Sequence, residues 1–316
     1  MQVSVIIPVY NAASFVETAV ASVLSQPEAI EVLLIEDGSR DGSYEICQRL
    51  ASDPRVRLMN HPGRANYGVA SSRNLGIRNT TMPFIAFLDA DDTYENGRFE
   101  VTKRVFEKHP DADGVHEMIG VHYHDPGLRS QLPDRSHFEN TNITIPAPPD
   151  DLFRILARGK HGHIHLNALT LKRSALDPED LMDTSLVMSE DSDFILRFAA
   201  THKLYGGDLS RIVAKRGVHG RNSVLTNPHV MEYRKRYLQK CIDHNFYGSK
   251  DLIAQCYILT RRVGAGRFFA PFRRLGKFAM PAKFVGIAGY LIIRPGLLLN
   301  LTKLALSQVV KSIRSA

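Results

Sequence analysis

Four short apolar runs separated by helical stretches constrain the fold of this 316-residue chain more than any other feature. Val3-Ser4-Val5-Ile6-Ile7-Pro8-Val9 ends in Tyr10-Asn11, and Ile30-Glu31-Val32-Leu33-Leu34-Ile35 ends in Glu36-Asp37-Gly38-Ser39. Val56-Arg57-Leu58-Met59 comes third, and Phe84-Ile85-Ala86-Phe87-Leu88 delivers Asp89. Near-continuous apolar runs are the mark of strands buried on both faces. Between the first two runs, Phe15, Ala19 and Val23 repeat at helical spacing. Residues 44–51 and 69–79 fit further helices, with Ser39 or Asp41 expected to cap 44–51. The alternation predicts an α/β fold with a mainly parallel sheet covered on both faces. Such sheets bind ligands outside the carboxyl ends of their strands. Tyr10-Asn11, Asp37 and Asp89 all fall at such ends, so they are expected to share one pocket.

Further along, 95–109 reads as helix, 114–121 as strand, 152–157 as helix, 166–172 as strand and 192–202 as helix. Residues 125–151 are rich in Pro, Asp, Asn and Ser with little periodicity. They read as a long loop or lid.

The acidic cluster Asp89-Ala90-Asp91-Asp92 suits a hard divalent cation that also holds a diphosphate, since Mg²⁺ and Mn²⁺ prefer oxygen ligands. Placement directly after an apolar strand sets it apart from an ordinary acidic turn. Asp37 can accept hydrogen bonds from a base or a ribose hydroxyl, although Asp-Gly-Ser also makes an ordinary turn. Met188-Ser189-Glu190-Asp191-Ser192-Asp193 opens a helix, where acidic residues are favoured by the helix dipole. The same position keeps a carboxylate ionised for general-base work. Asn66-Tyr67-Gly68 and Arg73-Asn74 place polar groups ahead of and within a helix, within reach of a phosphate or ribose. His161, His163 and His165 alternate as on one face of a strand, but lack a fourth ligand, so an acceptor-pocket or surface role is favoured. His219 can offer an imidazole to a metal or diphosphate.

Charge is divided along the chain. Residues 252–316 contain eleven Lys and Arg and no acidic residue, whereas 1–251 carry 29 basic against 33 acidic side chains. The basic tail mixes Phe, Leu, Ile and Val with its charges. Its longest apolar stretch, 284–301, contains Arg294, Pro295 and Asn300. A central Arg costs roughly 2.5–3.5 kcal/mol on membrane insertion, so a segment lying on an anionic membrane surface is expected rather than a spanning helix. Helices packed on the main domain are the other reading. Nucleic acid is not the expected partner. Cys47, Cys241 and Cys256 are scattered and odd in number, which fits a reducing compartment. The N-terminus has no basic, apolar leader, so a cytoplasmic, membrane-peripheral location is expected.

Taken in order, these pieces resemble an inverting family 2 glycosyltransferase of the GT-A fold. The resemblance runs from Val3–Asn11 through Glu36-Asp37-Gly38-Ser39, Asn66-Tyr67-Gly68 with Ser72-Arg73-Asn74, Phe87–Asp92 and Ser189-Glu190-Asp191 to His219 with Ser223. It covers roughly residues 1–225. It implies a catalytic domain over 1–225, with a nucleotide-binding half (1–120) and an acceptor-binding half (121–225), and a mostly helical, basic appendage over 226–316. Pro8, Tyr10, Asn11, Asp37, Arg64, Asn66, Gly68, Arg73, Asp89 and Ala90 would meet the nucleotide sugar. Asp91, with His219, would meet a Mn²⁺ or Mg²⁺ ion. Asp191 would be the base and Glu190 would orient the site. The implied donor is a UDP-sugar and the implied acceptor a cell-envelope glycan or a lipid-linked glycan. A transferase acting on polyprenyl phosphate and an inactive carbohydrate- or lipid-binding scaffold are the alternatives. The 125–149 segment and the three histidines match no motif of the family.

Overall fold

In the computed structural model, residues 1–132, 142–145, 147–159, 161–244, 247 and 258 are described. Strands β1 (Val3–Val9), β2 (Ala29–Glu36), β3 (Val56–Asn60) and β4 (Phe84–Phe87) pair in parallel, in the order β3-β2-β1-β4. Helices α1 (Val16–Leu24), α2 (Ser43–Leu50) and α3 (Val69–Asn79) make the crossovers. Alternate strand residues feed two cores. Val5, Ile7, Val32 and Leu34 pack on one face, and Ile6, Leu33, Ile35 and Phe87 on the other. Both faces are therefore dry, which is why the runs are apolar without alternation. Gly76 lets α3 lie close on β1, since a Cβ there would strike the Ile6 side chain.

The sheet then departs from a purely parallel pattern. β8 (Leu169–Lys172) pairs antiparallel with β4 and with β6 (Gly114–His116), and β9 (Leu204–Gly206) pairs parallel with β6. The seven-stranded order is β3-β2-β1-β4-β8-β6-β9, still mainly parallel. A second sheet joins β5 (Thr93–Tyr94), β10 (Ile212–Val218) and β7 (Met118–Tyr123).

Several expected elements change. The strand expected over 114–121 is divided between the two sheets at Glu117, a buried carboxylate paired with fully buried Arg98 at 2.9 Å. The helix expected over 95–109 begins only at Glu100, as α4 (Glu100–Lys108), because β5 and a turn come first. Leu166–Ala168 is a 3-10 turn before β8, not strand. The N-cap position of α2 is Gly42, in the left-handed region, and the Asp41 carboxylate just before it accepts the first helical N–H, that of Ser43, at 3.1 Å, whereas Ser39 bonds Asn11 instead. Within 125–151, α5 (Pro126–Gln131) and the start of α6 (Pro149–Arg158) flank residues 133–141, which lie outside those described. The 252–316 tail lies outside them too, apart from Ile258.

Helix α7 (Glu190–Thr201) packs against α6 and against α9 (Val230–Asp243), which buries Tyr237, Leu238, Cys241 and Ile242 in the same core. A short α8 (Ser223–Thr226) lies between β10 and α9. No described helix is long and apolar enough to cross a membrane.

Candidate active site

The carboxyl ends of β1, β2 and β4 and the N-terminus of α7 open onto one cleft of about 1500 Å³. Pro8, Tyr10 and Asn11 line it beyond β1, and the Tyr10 ring is 52% exposed there. Asn11 is left-handed (φ 49°), a conformation that Asn tolerates better than most residues. Its Oδ1 accepts the Arg40 N–H at 2.9 Å and its own N–H donates to Ser39 Oγ at 3.0 Å, tying the first two strand ends together. Asp37 is buried beside them. Its carboxylate accepts the Tyr67 N–H at 2.6 Å and the Gly68 N–H at 2.9 Å, and Asn66 Nδ2 donates to its carbonyl at 3.0 Å. Asp37 thus holds the 66–68 loop at the cleft wall. Gly38 (φ +76°) has no room for a Cβ, which would meet Arg64 O at 2.8 Å. Arg64 itself does not line the cleft, contrary to expectation. Its guanidinium lies 3.4 Å from the centroid of the Tyr44 ring.

The centre of the cleft is acidic. Asp89 follows β4, and Arg73 Nη2 contacts its Oδ1 at 2.6 Å while Arg73 Nη1 contacts Glu190 Oε1 at 2.7 Å. Arg73 is almost fully buried, and a buried guanidinium requires carboxylate partners. Its two η-nitrogens are taken by Asp89 and Glu190, so it bridges the Asp89 turn to the α7 start instead of standing free for a phosphate. Burial raises the Asp89 carboxyl, but Arg73 outweighs it and holds the group below the ordinary range. Burial, then the adjacent Asp191, push Glu190 up to about 7 against the pull of Arg73. Ser189 is left-handed (φ 68°), an uncommon state for a residue with a side chain, just before Glu190 and Asp191 enter the first turn of α7. Asp191 lines the cleft, half-buried, with its Oδ1 accepting the Ser192 N–H at 2.6 Å.

Asp91 and Asp92 differ sharply. Asp91 is partly exposed, and its Oδ2 accepts from His219 Nε2 at 3.0 Å and Asn222 Nδ2 at 3.2 Å. His219 Nδ1 accepts the Arg221 N–H, which places the neutral ring's proton on Nε2, facing Asp91. Asp92 is buried. Its Oδ1 accepts the Gly217 N–H at 2.7 Å, and its Oδ2 accepts from Asn167 Nδ2. Burial, with Asp91 and Asp89 adding to it, pushes its carboxyl well above the ordinary range. A Cβ at Gly217 would collide with the Asp91 carbonyl, so β10 can approach this turn only as glycine. Ligand atoms of Asp89, Asp92 and His165 lie within 4.8 Å of one another.

A family model described as glycosyl transferase family 2 matches residues 4–166, just over half of the chain. The chain belongs to that family. Two glycosyltransferases of Rickettsia felis and Rickettsia conorii, both uncharacterised, are 40% and 38% identical over 108 residues, and the chain spans only 17% of their length. The uncharacterised glycosyltransferase EpsJ of Bacillus subtilis is 27% identical over 257 residues, 78% of this chain and 70% of EpsJ. The minor teichoic acid biosynthesis protein GgaA of the same organism is 28% identical over 211 residues, 64% of this chain and 44% of GgaA. Among solved structures, S. aureus TarS 1–349 in complex with UDP-GlcNAc superposes with a TM-score of 0.58 at 16% identity, covering 89% of this chain and 76% of TarS. Mannosyltransferase PcManGT from Pyrobaculum calidifontis, in complex with GDP-Man and Mn²⁺, gives 0.53 at 17% identity over 98% and 87%. These two likenesses establish the GT-A fold.

Against that family pattern, Ala90 and Gly68 line the cleft as expected. The three alternating histidines do not lie on a strand. Residues 162–165 are irregular, His163 and His165 line the cleft, and His161 does not. Burial, followed by the charge of Arg216, pushes the His165 imidazole down to about 4, so the ring is neutral at physiological pH. Arg216, Asn167 and Asn222 are part of the site but were not singled out in the sequence. Asn222 meets Asp91 131 positions away, Asn167 meets Asp89 and Asp92 78 and 75 positions away, and Arg216 acts through its charge on His165 and Asp89.

Proposed function

We propose that this chain is an inverting, divalent-cation-assisted glycosyltransferase that moves a sugar from a UDP-sugar to a hydroxyl of a cell-envelope glycan or lipid-linked acceptor. One observation carries the reading. Asp191, half-buried and without an ion-pair partner among the described residues, shares a cleft with the strand-end groups Tyr10, Asp37, Asp89 and Asp91.

The nucleoside lies against Pro8, Asn11 and the exposed Tyr10 ring, which offers a flat face for the base. Asp37 keeps acceptor capacity for a base N–H or a ribose hydroxyl, since each of its oxygens takes one backbone N–H. Asn66, Gly68 and Ala90 close the wall, and Asp89 faces the ribose. The carboxylates of Asp89 and Asp91 are 30% and 28% exposed, so they can still gain a ligand, and an oxygen set of this kind fits Mn²⁺ or Mg²⁺. Asp91, with Asp89 beside it, would hold such an ion, which would supply positive charge to a departing diphosphate. His219 orients Asp91 through Nε2 instead of serving as a second ligand. Arg73 and Glu190 fix the distance between the Asp89 turn and the base.

Asp191 takes the proton of the acceptor hydroxyl as that oxygen bonds to the anomeric carbon. The bond from the anomeric carbon to the diphosphate breaks on the opposite face, which leaves UDP and an inverted centre. Placement in the first helical turn favours the ionised Asp191 needed at the start. The names of GgaA, which points to teichoic acid, and of TarS with UDP-GlcNAc support the envelope acceptor and the UDP-sugar donor. The 252–316 tail, with eleven basic and no acidic residues, would hold the enzyme on the anionic inner face of the membrane.

The test is a thermal-shift screen of UDP-, GDP- and ADP-sugars with and without Mn²⁺. Stabilisation by one UDP-sugar, greater with Mn²⁺, is expected, because a ligand that binds only the folded state raises its melting temperature. No shift with any nucleotide sugar overturns the reading.

A further inference from the structure

Asn167 lies just behind the acidic turn, fully buried in the middle of the 3-10 segment Leu166–Ala168. Its Oδ1 accepts the Asp89 N–H at 3.2 Å, and its Nδ2 donates to Asp92 Oδ2. Its own backbone N–H donates to His165 Nδ1 at 3.3 Å. One residue thereby touches both ends of the Asp89–Asp92 turn and one histidine of the cleft wall. Behind it, Arg98 donates through Nε to the Asn167 carbonyl at 3.2 Å and through Nη1 to Glu117 at 2.9 Å, so the hub is itself held.

The bond to His165 has a chemical consequence. A backbone N–H can only donate, so Nδ1 is the acceptor and the neutral ring carries its proton on Nε2. Ligation of a cation through Nε2 requires that nitrogen unprotonated, and ligating histidines usually donate from their other nitrogen. His165 is held in the opposite sense, as an N–H donor in the cleft. Asp92 has a partner on each oxygen, from Asn167 and Gly217. Asp92, buried and bonded at both oxygens, and His165 thus form a braced wall, whereas the partly exposed carboxylates of Asp89 and Asp91 can still gain a ligand.

We propose that Asn167 is a positioning residue for transfer, setting the Asp89–Asp92 turn from behind while its backbone N–H holds His165 with Nε2–H toward the substrate. This rests on the nucleotide-sugar reading above. The side-chain amide is required in one orientation only, with oxygen toward Asp89 N and nitrogen toward Asp92.

A charge-preserving exchange tests it. Asn167→Asp places two carboxylates against each other, removing the amide donor. Adding Asp92→Asn restores a donor at position 92, an acceptor for Asp89 N at 167 and an acceptor for Gly217 N at 92. Mn²⁺-dependent UDP binding by calorimetry and transfer rate are measured for the parent, Asn167→Asp and the double exchange. The single variant is expected to lose about a hundredfold in rate, the scale of a misplaced catalytic group, together with most of its Mn²⁺-dependent UDP binding. The double exchange is expected to recover both. A parent that binds no UDP defeats the functional reading itself. A parent that binds UDP, with Asn167→Asp unchanged or with no recovery in the double exchange, overturns the positioning role alone. Nitrogen-15 NMR of labelled histidine reads the tautomer independently: His165 protonated on Nε2 is expected near pH 7, and protonation on Nδ1 overturns its assignment as a donor.

Discussion

Arg73 shows how much of the site depends on one buried charge. Its side chain is 5% exposed and its two η-nitrogens reach carboxylates at very different sequence distances, Asp89 16 positions away and Glu190 117. Arg73→Met leaves both acids facing each other in a dry setting, and removing one partner of a buried ion pair costs roughly 3–5 kcal/mol. Arg73→Lys retains the charge but lacks the fork that spans both acids. Arg73→Met is expected to melt several degrees lower, and both variants to lose most transfer activity. Calorimetric melting with a donor-transfer assay checks this, and unchanged activity in Arg73→Lys would remove the bridge from the mechanism. The sequence flagged Arg73 and Glu190 separately, but not their partnership. A pair 117 positions apart leaves no local periodicity or spacing to read. Asn167 was invisible for the same reason, being one polar residue in an otherwise apolar segment. The stacking of Arg64 on the aromatic face of Tyr44 was equally hidden, being a contact that only the folded α2 creates.

At the scale of elements, α9 is pinned to the cleft by charge. Lys240 Nζ lies 2.8 Å from Asp183 and 2.9 Å from buried Asp193, while Tyr247 also donates to Asp193. Burial tends to raise the Asp183 carboxyl, but its bonds to Lys240 and Ser185 outweigh it and bring the group down to about 2. A carboxyl depressed in the folded state adds stability above its unfolded value of 3.8, and loses it as pH falls through about 2. Lys240→Met removes part of that depression. Its acid-unfolding midpoint, followed by circular dichroism, should therefore move to higher pH than the parent's. An unmoved midpoint would mean that this pair does not secure α9. The first four strands were legible because they are dry on both faces and read as continuous apolar runs. β5, β9 and β10 were not. β10 carries Lys215, Arg216 and Gly217 in its middle, since it borders the cleft and must bring a bare backbone up to Asp91. The break at Glu117 was hidden likewise, because only the buried Arg98 explains an acid between two strands.

Over the whole molecule, the proposed division of labour follows the division of charge. The folded body gathers carboxylates at one edge of a mainly parallel sheet, as its strand ends foretold, and the excess of basic over acidic residues lies after residue 251. Interfacial attachment weakens with salt, because each Lys or Arg near an anionic surface contributes only about 1 kcal/mol. Truncation after Lys250 should release the protein from phosphatidylglycerol vesicles in a sedimentation assay, while the body, short of the buried Ile258, melts somewhat lower but still cooperatively. Undiminished vesicle binding by the truncated protein would assign attachment to the body instead. The acceptor's identity was not legible, because the cleft wall near His163 and Thr144 is built from irregular segments without a repeating pattern.

The proposal as a whole turns on Asp191 acting as a base within a nucleotide-sugar cleft. The decisive measurement is transfer by Asp191→Asn beside its UDP affinity, taken on the same preparation with Mn²⁺ present. Loss of a general base lowers the rate by roughly 10²–10⁴-fold, and UDP affinity should stay close to the parent's because the proposed role sets Asp191 against the acceptor hydroxyl. Equal loss of transfer and UDP binding, or transfer at the parent's rate, would contradict the assignment.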